Sequence, residues 1–403
     1  MVEKYSVDMK NIDDFNFRNR KALLRVDFNV PLNNELIVTD ETRIIAAIPT
    51  IKKIINEGGS VILMSHLGRP KKGPEDKYSL KHIIPNLQEK LGTEVKFASD
   101  CIGASALELS QTLGTGEVML LENVRFYPEE TKGDEDFASK LAKLGDIYVN
   151  DAFGTAHRAH ASTTIVAQFF EDKCAGYIMG SELANAKKVL KDPNRPFTAI
   201  MGGAKISDKI MIIEKLLDKV DHLIIGGGMS YTFSKAQGGA IGKSLCEDNR
   251  MALTLELIEK AKAKGVKIYL PLDNVIADDF SNEAQRQIVN SGDIPDDWEG
   301  LDIGPQSIDA FANVIKNSKT ILWNGPMGVF EFPNFAVGTE AIAEAVVTAT
   351  QNGGFSLIGG GDSAAAINNL GYGDKVSYVS TGGGALLEYM EGKTLPGVAI
   401  LED

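Results

Sequence analysis

Five basic side chains from separate parts of the first half of the sequence could together bind a small polyanion: Arg43, His66, Arg69, Arg125 and Arg158. Seven of the ten arginines in the chain lie at or before the last of these. A guanidinium donates two parallel hydrogen bonds to a phosphate or a carboxylate, so several arginines in one cleft suit such a ligand. The alternative is that each arginine pairs with a surface carboxylate. Their joint position at the ends of predicted strands favours a binding site.

The second half carries a different candidate site, made of glycine clusters. The GGGDSAAA stretch (359–366) and the STGGGALLEY stretch (380–389) lead into predicted helices, whose amino termini attract phosphate groups. Asp362 could hold a magnesium ion against such phosphates, or it could cap its helix. Lys205 and Lys209 are four residues apart at a predicted helix start, so they would share one face and either bind an anion or remain solvated.

Three other motifs carry less weight. The GGAIGKS stretch (238–244) resembles a phosphate-binding P-loop, but Gln237 stands where that motif needs a glycine, so Lys243 and Ser244 are interpreted as loop residues. The dinucleotide fingerprint G-x-G-x-x-G does not occur in the chain. His157 and His160 lack an evident supply of further metal ligands.

Alternating apolar runs and helical patterns predict the elements that position these residues. Strand candidates occupy 21–26, 60–65, 117–123 and 146–152 in the first half, and short apolar runs precede glycine clusters at 197–205, 222–229, 320–328, 355–362 and 376–384. Helical patterns such as 208–220 and 249–265 separate them. Continuous apolar strands between helices are typical of buried parallel sheets, which bind ligands beyond the carboxyl ends of their strands. The predicted fold class is α/β, with two Rossmann-like domains joined by a hinge helix.

The length of 403 residues indicates two domains. The segment 180–197 resembles a helix that opens with a serine cap and is broken by Pro193 and Pro196, which makes it the natural boundary. We therefore predict an amino-terminal domain over 1–180, an interdomain helix over 181–195, a carboxyl-terminal domain over 196–393, and a tail over 394–403.

The composition limits the compartment and the partners. The formal net charge of −13 repels nucleic acid and anionic membranes. Three cysteines at wide spacings fit neither a disulfide framework nor a zinc site, and the amino terminus lacks the pattern of a secretory leader. No apolar run is long enough for a membrane span. We expect a cytoplasmic protein with neither a nucleic-acid nor a membrane partner.

Strings spread over nearly the whole chain resemble the phosphoglycerate kinase family, in that family's order. They are RVDFNVP (25–31), SHLGRP (65–70), LLENVRF (120–126), NDAFGTAHRAH (150–160), MGGAKISDKI (201–210), GLDIGP (300–305), WNGPMGVFE (323–331), IGGGDSAAA (358–366) and STGGGALLEYMEGKTLPGV (380–398). So many separate strings make a specific match.

The resemblance implies reversible phosphoryl transfer from 1,3-bisphosphoglycerate to ADP, giving 3-phosphoglycerate and ATP with Mg²⁺ as cofactor. It implies that phosphoglycerate is bound in the amino-terminal domain by Asp27, Asn29, Arg43, His66, Arg69, Arg125 and Arg158. It implies that the nucleotide is bound in the carboxyl-terminal domain by Gly203, Lys205, Lys209, Gly226, Gly227, Gly300, Asn324, Gly328, Val329, Glu331, Gly360, Gly361, Asp362 and Ser363. Asp362 would also hold the metal, and the tail would return to the first domain.

The implied chemistry needs no general base, because the attacking carboxylate is already ionised, so catalysis would depend on positioning and charge stabilisation. The groups expected to meet the charge of the transition state are Arg43, Lys205, magnesium and the backbone donors of Gly382, Gly383 and Gly384. Hinge closure would bring the two ligands together and exclude water. The family resemblance further implies a monomer that acts in glycolysis or carbon fixation.

Two departures from the family pattern are Tyr378, where many relatives carry histidine, and Leu386, where serine is common; both concern packing near the last glycine loop. One alternative function is an ATP-dependent kinase for another carboxylic acid, which the number of arginines disfavours. Another is a nucleotide-binding regulatory protein, which would bind ADP without turnover.

Overall fold

The computed structural model describes residues 9–71 and 73–402. The chain divides into two compact units, Met1–Leu183 together with Thr394–Asp403, and Ala184–Lys393. We call them the first unit and the second unit. Residues 1–8, which belong to the stretch examined for a secretory leader, lie outside the described residues. Within the described ranges, no helix has both the length and the apolar character needed to cross a membrane.

The first unit is built on a six-stranded parallel sheet in the order β3-β4-β2-β1-β5-β6. Its strands are β1 Lys21–Arg25, β2 Ser60–Met64, β3 Val95–Ala98, β4 Val118–Leu121, β5 Ile147–Asn150 and β6 Lys173–Ala175. Every residue of β2, β4 and β5 is buried, which explains their continuous apolar runs. The edge strands β3 and β6 are short and partly exposed, and the apolar pattern alone did not predict them.

The second unit contains a second six-stranded parallel sheet, in the order β10-β8-β7-β15-β16-β17, and two small sheets, β12-β11-β14 and β13-β9. The strands are β7 Phe197–Met201, β8 His222–Ile225, β9 Ala240–Ile241, β10 Lys267–Tyr269, β11 Asp273–Ala277, β12 Arg286–Asn290, β13 Asp293–Ile294, β14 Glu299–Ile303, β15 Thr320–Asn324, β16 Phe355–Gly359 and β17 Tyr378–Val379. The antiparallel sheet was not predicted, because β12 is largely exposed and the mostly buried strands β11 and β14 mix apolar with polar residues.

Helices flank both large sheets and confirm the predicted α/β class. They are α1 Thr42–Asn56, α2 Ile84–Leu91, α3 Ala104–Gln111, α4 Pro128–Lys132, α5 Glu135–Ala142, α6 Tyr177–Leu190, α7 Ile210–Leu216, α8 Met229–Ala236, α9 Met251–Ala263, α10 Pro305–Lys316, α11 Val337–Gln351, α12 Gly361–Asn369, α13 Gly384–Met390 and α14 Pro396–Ala399. Each unit has its own apolar core between sheet and helices.

Helix α6 begins earlier than the sequence predicted. It starts at Tyr177, so Ser181 lies inside it and the prediction of a serine cap at its start was wrong. The buried carboxylate of Asp151 accepts hydrogen bonds from the N–H groups of Ile178 (2.7 Å) and Met179 (3.2 Å). Side-chain capping from a residue distant in sequence carries no local signal, which explains the error.

Candidate functional site

Polar groups of the first unit meet at the carboxyl ends of β1, β2 and β4. The guanidinium of Arg43 lies 3.1 Å from the Asp27 carboxylate and donates to the carbonyl of Asn29 (2.9 Å). The Asn29 side chain accepts from the Gly68 N–H (2.8 Å), and Arg125 donates to the Gly68 carbonyl (2.9 Å). The loops that follow the three strands are therefore tied into one basic cluster.

A cleft of about 330 Å³ opens in this unit, with Arg69, Arg125, Arg158 and His160 in its lining. The Nε atom of Arg125 is buried and has no hydrogen-bond partner among the described residues. Burial, followed by repulsion from Arg25 and Arg158, lowers the pKa of Arg125 to about 10. Burial and neighbouring positive charges both destabilise the charged form of a guanidinium group. A bound anion offsets both effects, so this cluster favours an anionic ligand.

His66 lies beside this cluster and is only 4% exposed. Burial lowers its pKa well below the usual value, and the nearby arginines, led by Arg25, lower it further. Both effects favour the neutral imidazole. Sequence reasoning missed Arg25, although an arginine within a buried apolar strand run is itself an unusual signal.

In the second unit the glycine clusters follow the ends of β7, β8, β15, β16 and β17, as the sequence predicted. They let backbone pack directly on backbone. A Cβ atom on Gly202 would lie 2.1 Å from the carbonyl oxygen of Pro326. Gly227 has φ +66°, and a Cβ there would lie 2.6 Å from the Gly203 nitrogen. The loops thus come together more closely than any side chain would permit.

These loops border a largely apolar cleft of about 420 Å³, which we call the base cleft. Its walls include Leu245, Phe280 and Val329. Of the predicted nucleotide-binding residues, those lining it are Gly203, Gly227, Gly300, Gly328, Val329, Glu331 and Asp362. An apolar slot of this size with a few polar groups suits a flat heterocycle.

Two residues that the sequence left without a function shape the base cleft. Ser244 lies in a loop, as the sequence predicted, and its hydroxyl accepts a hydrogen bond from the Gly300 N–H (2.9 Å). A Cβ on Gly300 would lie 2.0 Å from the Tyr231 hydroxyl oxygen, so the tyrosine packs against bare backbone. No local motif could have found these contacts, because they join residues far apart in the chain.

A second cleft of about 340 Å³, the phosphate cleft, collects most of the remaining candidates. The predicted residues in its lining are Gly203, Lys205, Lys209, Asn324, Gly360, Gly361, Asp362, Ser363, Gly383 and Gly384. The side chain of Asn324 is buried, its Oδ1 accepts from the Lys209 ammonium, and its Nδ2 has no partner among the described residues. Burial lowers the pKa of Lys209. The unpartnered Nδ2 of Asn324 and the partly buried Lys209 ammonium together favour an anionic ligand in this cleft.

The lysines and Asp362 are placed differently from the local predictions. A short 3₁₀ helix, Ile206–Asp208, separates Lys205 from Lys209, so the two lysines do not share one helix face, although both reach the phosphate cleft. No side chain caps α12, so the alternative role of Asp362 as a helix cap is wrong. Its carboxylate instead belongs to the lining of both clefts of the second unit.

Gly226 and Gly382 do not line either cleft. A Cβ on Gly226 would lie 2.4 Å from the sulfur of Met327, so this glycine is needed for packing below the base cleft. The N–H of Gly382 donates to the Ser380 hydroxyl (3.0 Å). Of the three predicted backbone donors, this one is therefore already used within its own loop.

The first unit carries a guanidinium-lined cleft, and the second carries glycine-lined base and phosphate clefts. Clefts of these two kinds are typical of the class of proteins that bind a small anion and a nucleotide. Comparison with known proteins narrows the class. The family model described as Phosphoglycerate kinase matches residues 12–393. The chain belongs to the phosphoglycerate kinase family and is therefore a kinase, a transferase that acts on a phosphoryl group.

Relatives cover essentially the whole chain. It is 54% identical to a phosphoglycerate kinase of Porphyromonas gingivalis, over 97% of this chain and 99% of that protein. It is 52% identical to a cytosolic phosphoglycerate kinase of Nicotiana tabacum over the full length of both. The solved structure of phosphoglycerate kinase from Coxiella burnetii superposes with a TM-score of 0.88 at 40% identity, covering 98% of each chain.

Proposed function

We propose that the protein transfers a phosphoryl group reversibly from 1,3-bisphosphoglycerate to ADP, giving 3-phosphoglycerate and ATP. The observation that carries this proposal is the presence of two chemically different anion clefts, one on each unit. One is lined by guanidinium groups and the other adjoins a base-sized apolar slot. This pairing matches one small phosphorylated acid and one nucleotide.

The nucleotide belongs to the second unit in this proposal. The base lies between the apolar walls of the base cleft, and Glu331 accepts from the ribose. The phosphates extend past Asn324 to Lys205, Lys209 and the backbone N–H groups at the start of α12. Helix α12 has nine residues, and no side chain caps its first turn. Its amino-terminal N–H donors and its dipole attract phosphate, which supports placing the phosphates there.

Phosphoglycerate belongs to the first unit. Its phosphate is bound in the cleft lined by Arg69, Arg125 and Arg158, and its carboxyl end and hydroxyl lie toward Arg43, Asp27 and Asn29, beside His66. The bidentate geometry of arginine and the unpartnered Arg125 Nε support a phosphate ligand. The alternative of a phosphate-free acid would leave these cations poorly matched.

A magnesium ion accompanies the nucleotide in our proposal. No cluster of three or more His, Cys, Asp or Glu side chains suited to a metal occurs within residues 9–71 and 73–402. The lone Asp362 nevertheless fits, since protein-bound Mg²⁺ is commonly held by one or two carboxylates together with substrate phosphates and water. When bound, the ion supplies positive charge that neutralises the phosphate oxygens.

Catalysis then depends on position and charge. The substrate carboxylate is ionised at neutral pH, so no side chain has to remove a proton. Arg43 and Lys205 meet the charge that spreads over the transferred phosphoryl group, and the N–H groups of Gly383 and Gly384 add neutral donors. Each strong contact contributes on the order of 3 kcal/mol, or about 100-fold in rate.

We further propose that a hinge motion about α6 and the carboxyl-terminal segment brings the two ligands together and excludes water. Small-angle scattering with both ligands should show a smaller radius of gyration than the free protein. An unchanged radius would contradict the hinge. We infer a monomer that acts in glycolysis or carbon fixation. We also infer a cytoplasmic location, which the name of the cytosolic relative supports.

The reaction is tested by trapping acyl phosphate with hydroxylamine after mixing the protein with ATP, Mg²⁺ and 3-phosphoglycerate. We expect a hydroxamate signal from the wild-type protein and a loss of about 100-fold in Arg43→Ala. Arg20→Ala is the control, since Arg20 pairs with Asp172 on the surface of the same unit. ADP binding without acyl phosphate would reject the substrate and leave the nucleotide assignment standing.

A further inference from the structure

A buried polar chain runs behind the basic cluster of the first unit. The side chains of Arg25, Ser162 and Glu130 are each at most 1% exposed. Arg25 donates through Nε to the Ser162 hydroxyl (2.8 Å), and Ser162 donates to the Glu130 carboxylate (2.6 Å). The backbone N–H of Ser162 donates to the other oxygen of the same carboxylate (2.8 Å). At its other end, Nη2 of Arg25 lies 3.2 Å from Nδ1 of His66.

The direction of each hydrogen bond in this chain is determined by chemistry. A guanidinium can only donate, and a carboxylate can only accept. The single proton of the Ser162 hydroxyl therefore points to Glu130, and its lone pair accepts from Arg25. The Nη2 group of Arg25 must donate to His66, so Nδ1 of that imidazole carries no proton. A neutral imidazole with a bare Nδ1 has its proton on Nε2.

The competing arrangement would place the proton on Nδ1 and direct it at Asp27. The nearest oxygen of that carboxylate is 4.0 Å away, beyond hydrogen-bond distance, and the carboxylate is already paired with Arg43. Nδ1 also lies 3.2 Å from Nη2 of Arg25. A proton on Nδ1 would point at the guanidinium N–H, so two donors would face each other without an acceptor. The positively charged imidazole is disfavoured for the same reason, and its low pKa agrees.

We propose that Arg25, held by Ser162 and Glu130, is a positioning residue that keeps His66 in the neutral Nε2–H tautomer and so presents a hydrogen-bond donor to the substrate. Among the described residues no protein group accepts from Nε2, so this donor is available to a ligand. The inference rests on the proposed function in one respect only, namely that the ligand beside His66 is phosphoglycerate. Arg25 itself need not touch the substrate.

The wild-type protein provides the first test. The chain has five histidines, so a long-range ¹⁵N–¹H spectrum of the imidazole nitrogens is simple, and His66→Gln identifies the signal that belongs to His66. We expect Nδ1 of His66 to resonate as an unprotonated nitrogen and Nε2 as a protonated one. A proton on Nδ1 in the wild-type protein would overturn the proposal without any variant.

Two variants test the role of the chain. Ser162→Ala removes the link while keeping Arg25 and Glu130, and Arg25→Met removes the donor to Nδ1. In each variant we expect the spectrum to show a mixture of His66 tautomers. We also expect the KM for 3-phosphoglycerate to rise roughly tenfold while the KM for ATP stays unchanged. Ser162→Thr retains the hydroxyl and should restore the wild-type tautomer and KM. A purely structural role would instead change both KM values together.

Arg20→Met is the matched control, because it removes a partly exposed arginine of the same unit that pairs with Asp172 (2.7 Å). We expect it to leave the His66 signal and both KM values unchanged. Should the wild-type protein form no acyl phosphate, the proposed function fails, while the tautomer measurement still decides the role of Arg25. Retention of the single tautomer in a folded Arg25→Met protein would reject the positioning role.

Discussion

The anion cleft of the first unit and the clefts of the second unit are built from different chemical groups. In the first unit, guanidinium groups supply the contacts, and their loops are tied by side-chain hydrogen bonds such as Arg43 to Asn29. In the second unit, glycine backbone supplies much of the lining. Several of these glycines let neighbouring loops approach so closely that a Cβ atom would clash. We therefore expect substitutions in the cleft of the first unit to weaken ligand binding without lowering stability. Substitutions of the glycines in the second unit should lower both.

The largest effect is expected from Gly202→Ala. Its Cβ would lie 2.1 Å from one carbonyl oxygen and 2.5 Å from another, and neither backbone atom can move freely. We expect unfolding free energy to fall by about 3 kcal/mol or more and ADP binding to weaken with it. Both tryptophans, Trp298 and Trp323, lie in the second unit, so urea unfolding followed by fluorescence reports on this unit.

Gly353→Ala is the control for that variant, because Gly353 has φ +85° but open space around it. Its expected loss is only about 1 kcal/mol, from backbone strain alone. Equal losses in the two variants would mean that close approach is not what the glycine loops require.

A buried carboxyl group in each unit allows the comparison to be extended to pH. Asp302 of the second unit accepts from the N–H groups of Ile303 (2.9 Å) and Gly338 (2.7 Å), yet burial raises its pKa from 3.8 to about 7. Asp151 of the first unit is raised to about 6 for the same reason. A raised acid pKa means that the folded protein holds its proton longer than the unfolded chain, so stability falls as pH rises toward the folded value.

We expect Asp302→Asn to remove this dependence. Between pH 5 and pH 8 its stability relative to wild type should improve by roughly 3 kcal/mol, since each pKa unit corresponds to about 1.4 kcal/mol. Urea midpoints at the two pH values measure the change. Asp151→Asn is the comparison, with a smaller improvement over the same range. Parallel pH curves for wild type and Asp302→Asn would show that the carboxyl group is already ionised near pH 5.

Replacement of Lys205 removes a positive charge from the phosphate cleft and leaves the packing of the glycine loops unchanged. Lys205→Ala should lower kcat about 100-fold, because the ammonium is assigned to the transferred phosphoryl group, while leaving the urea midpoint near that of wild type. Lys215→Ala, an exposed lysine of α7, is the control. If only the KM for ATP rose and kcat were unchanged, Lys205 would bind the ground-state nucleotide and not stabilise the transition state.

The smallest effect is expected from Arg125→Lys in the first unit. The charge remains but the planar fork is lost, so the KM for 3-phosphoglycerate should rise about tenfold without a change in the KM for ATP or in stability. Steady-state kinetics with each substrate varied in turn provides the measurement. A matching loss of stability would contradict the idea that the first unit separates binding from folding.

Much of the architecture was predictable because it depends on local patterns. Runs and spacings predicted the apolar strands β1, β2, β4 and β5 and the five strand ends that carry glycine clusters. Of the five basic side chains expected to share a site, Arg69, Arg125 and Arg158 line one cleft, while Arg43 and His66 are not part of its lining. The short edge strands β3, β6 and β10 and the antiparallel sheet were missed, because partly exposed or mixed-polarity strands lack a continuous apolar signal. The roles assigned to individual site residues remain predictions.

The sequence by itself determined the family, the α/β class and the types of residue available for each ligand, since these follow from local strings and periodicity. Only the tertiary structure decided which residues meet. Arg25 reaches His66 across 41 residues and Ser162 across 137, and Ser244 holds Gly300 across 56. The contact between Arg25 and His66 arises because parallel strands place their carboxyl ends at one edge of a sheet, whereas Ser244 joins a loop to the antiparallel strand β14. Burial leaves each polar group only the partners that the fold provides, and the direction of each hydrogen bond follows from which partner can donate.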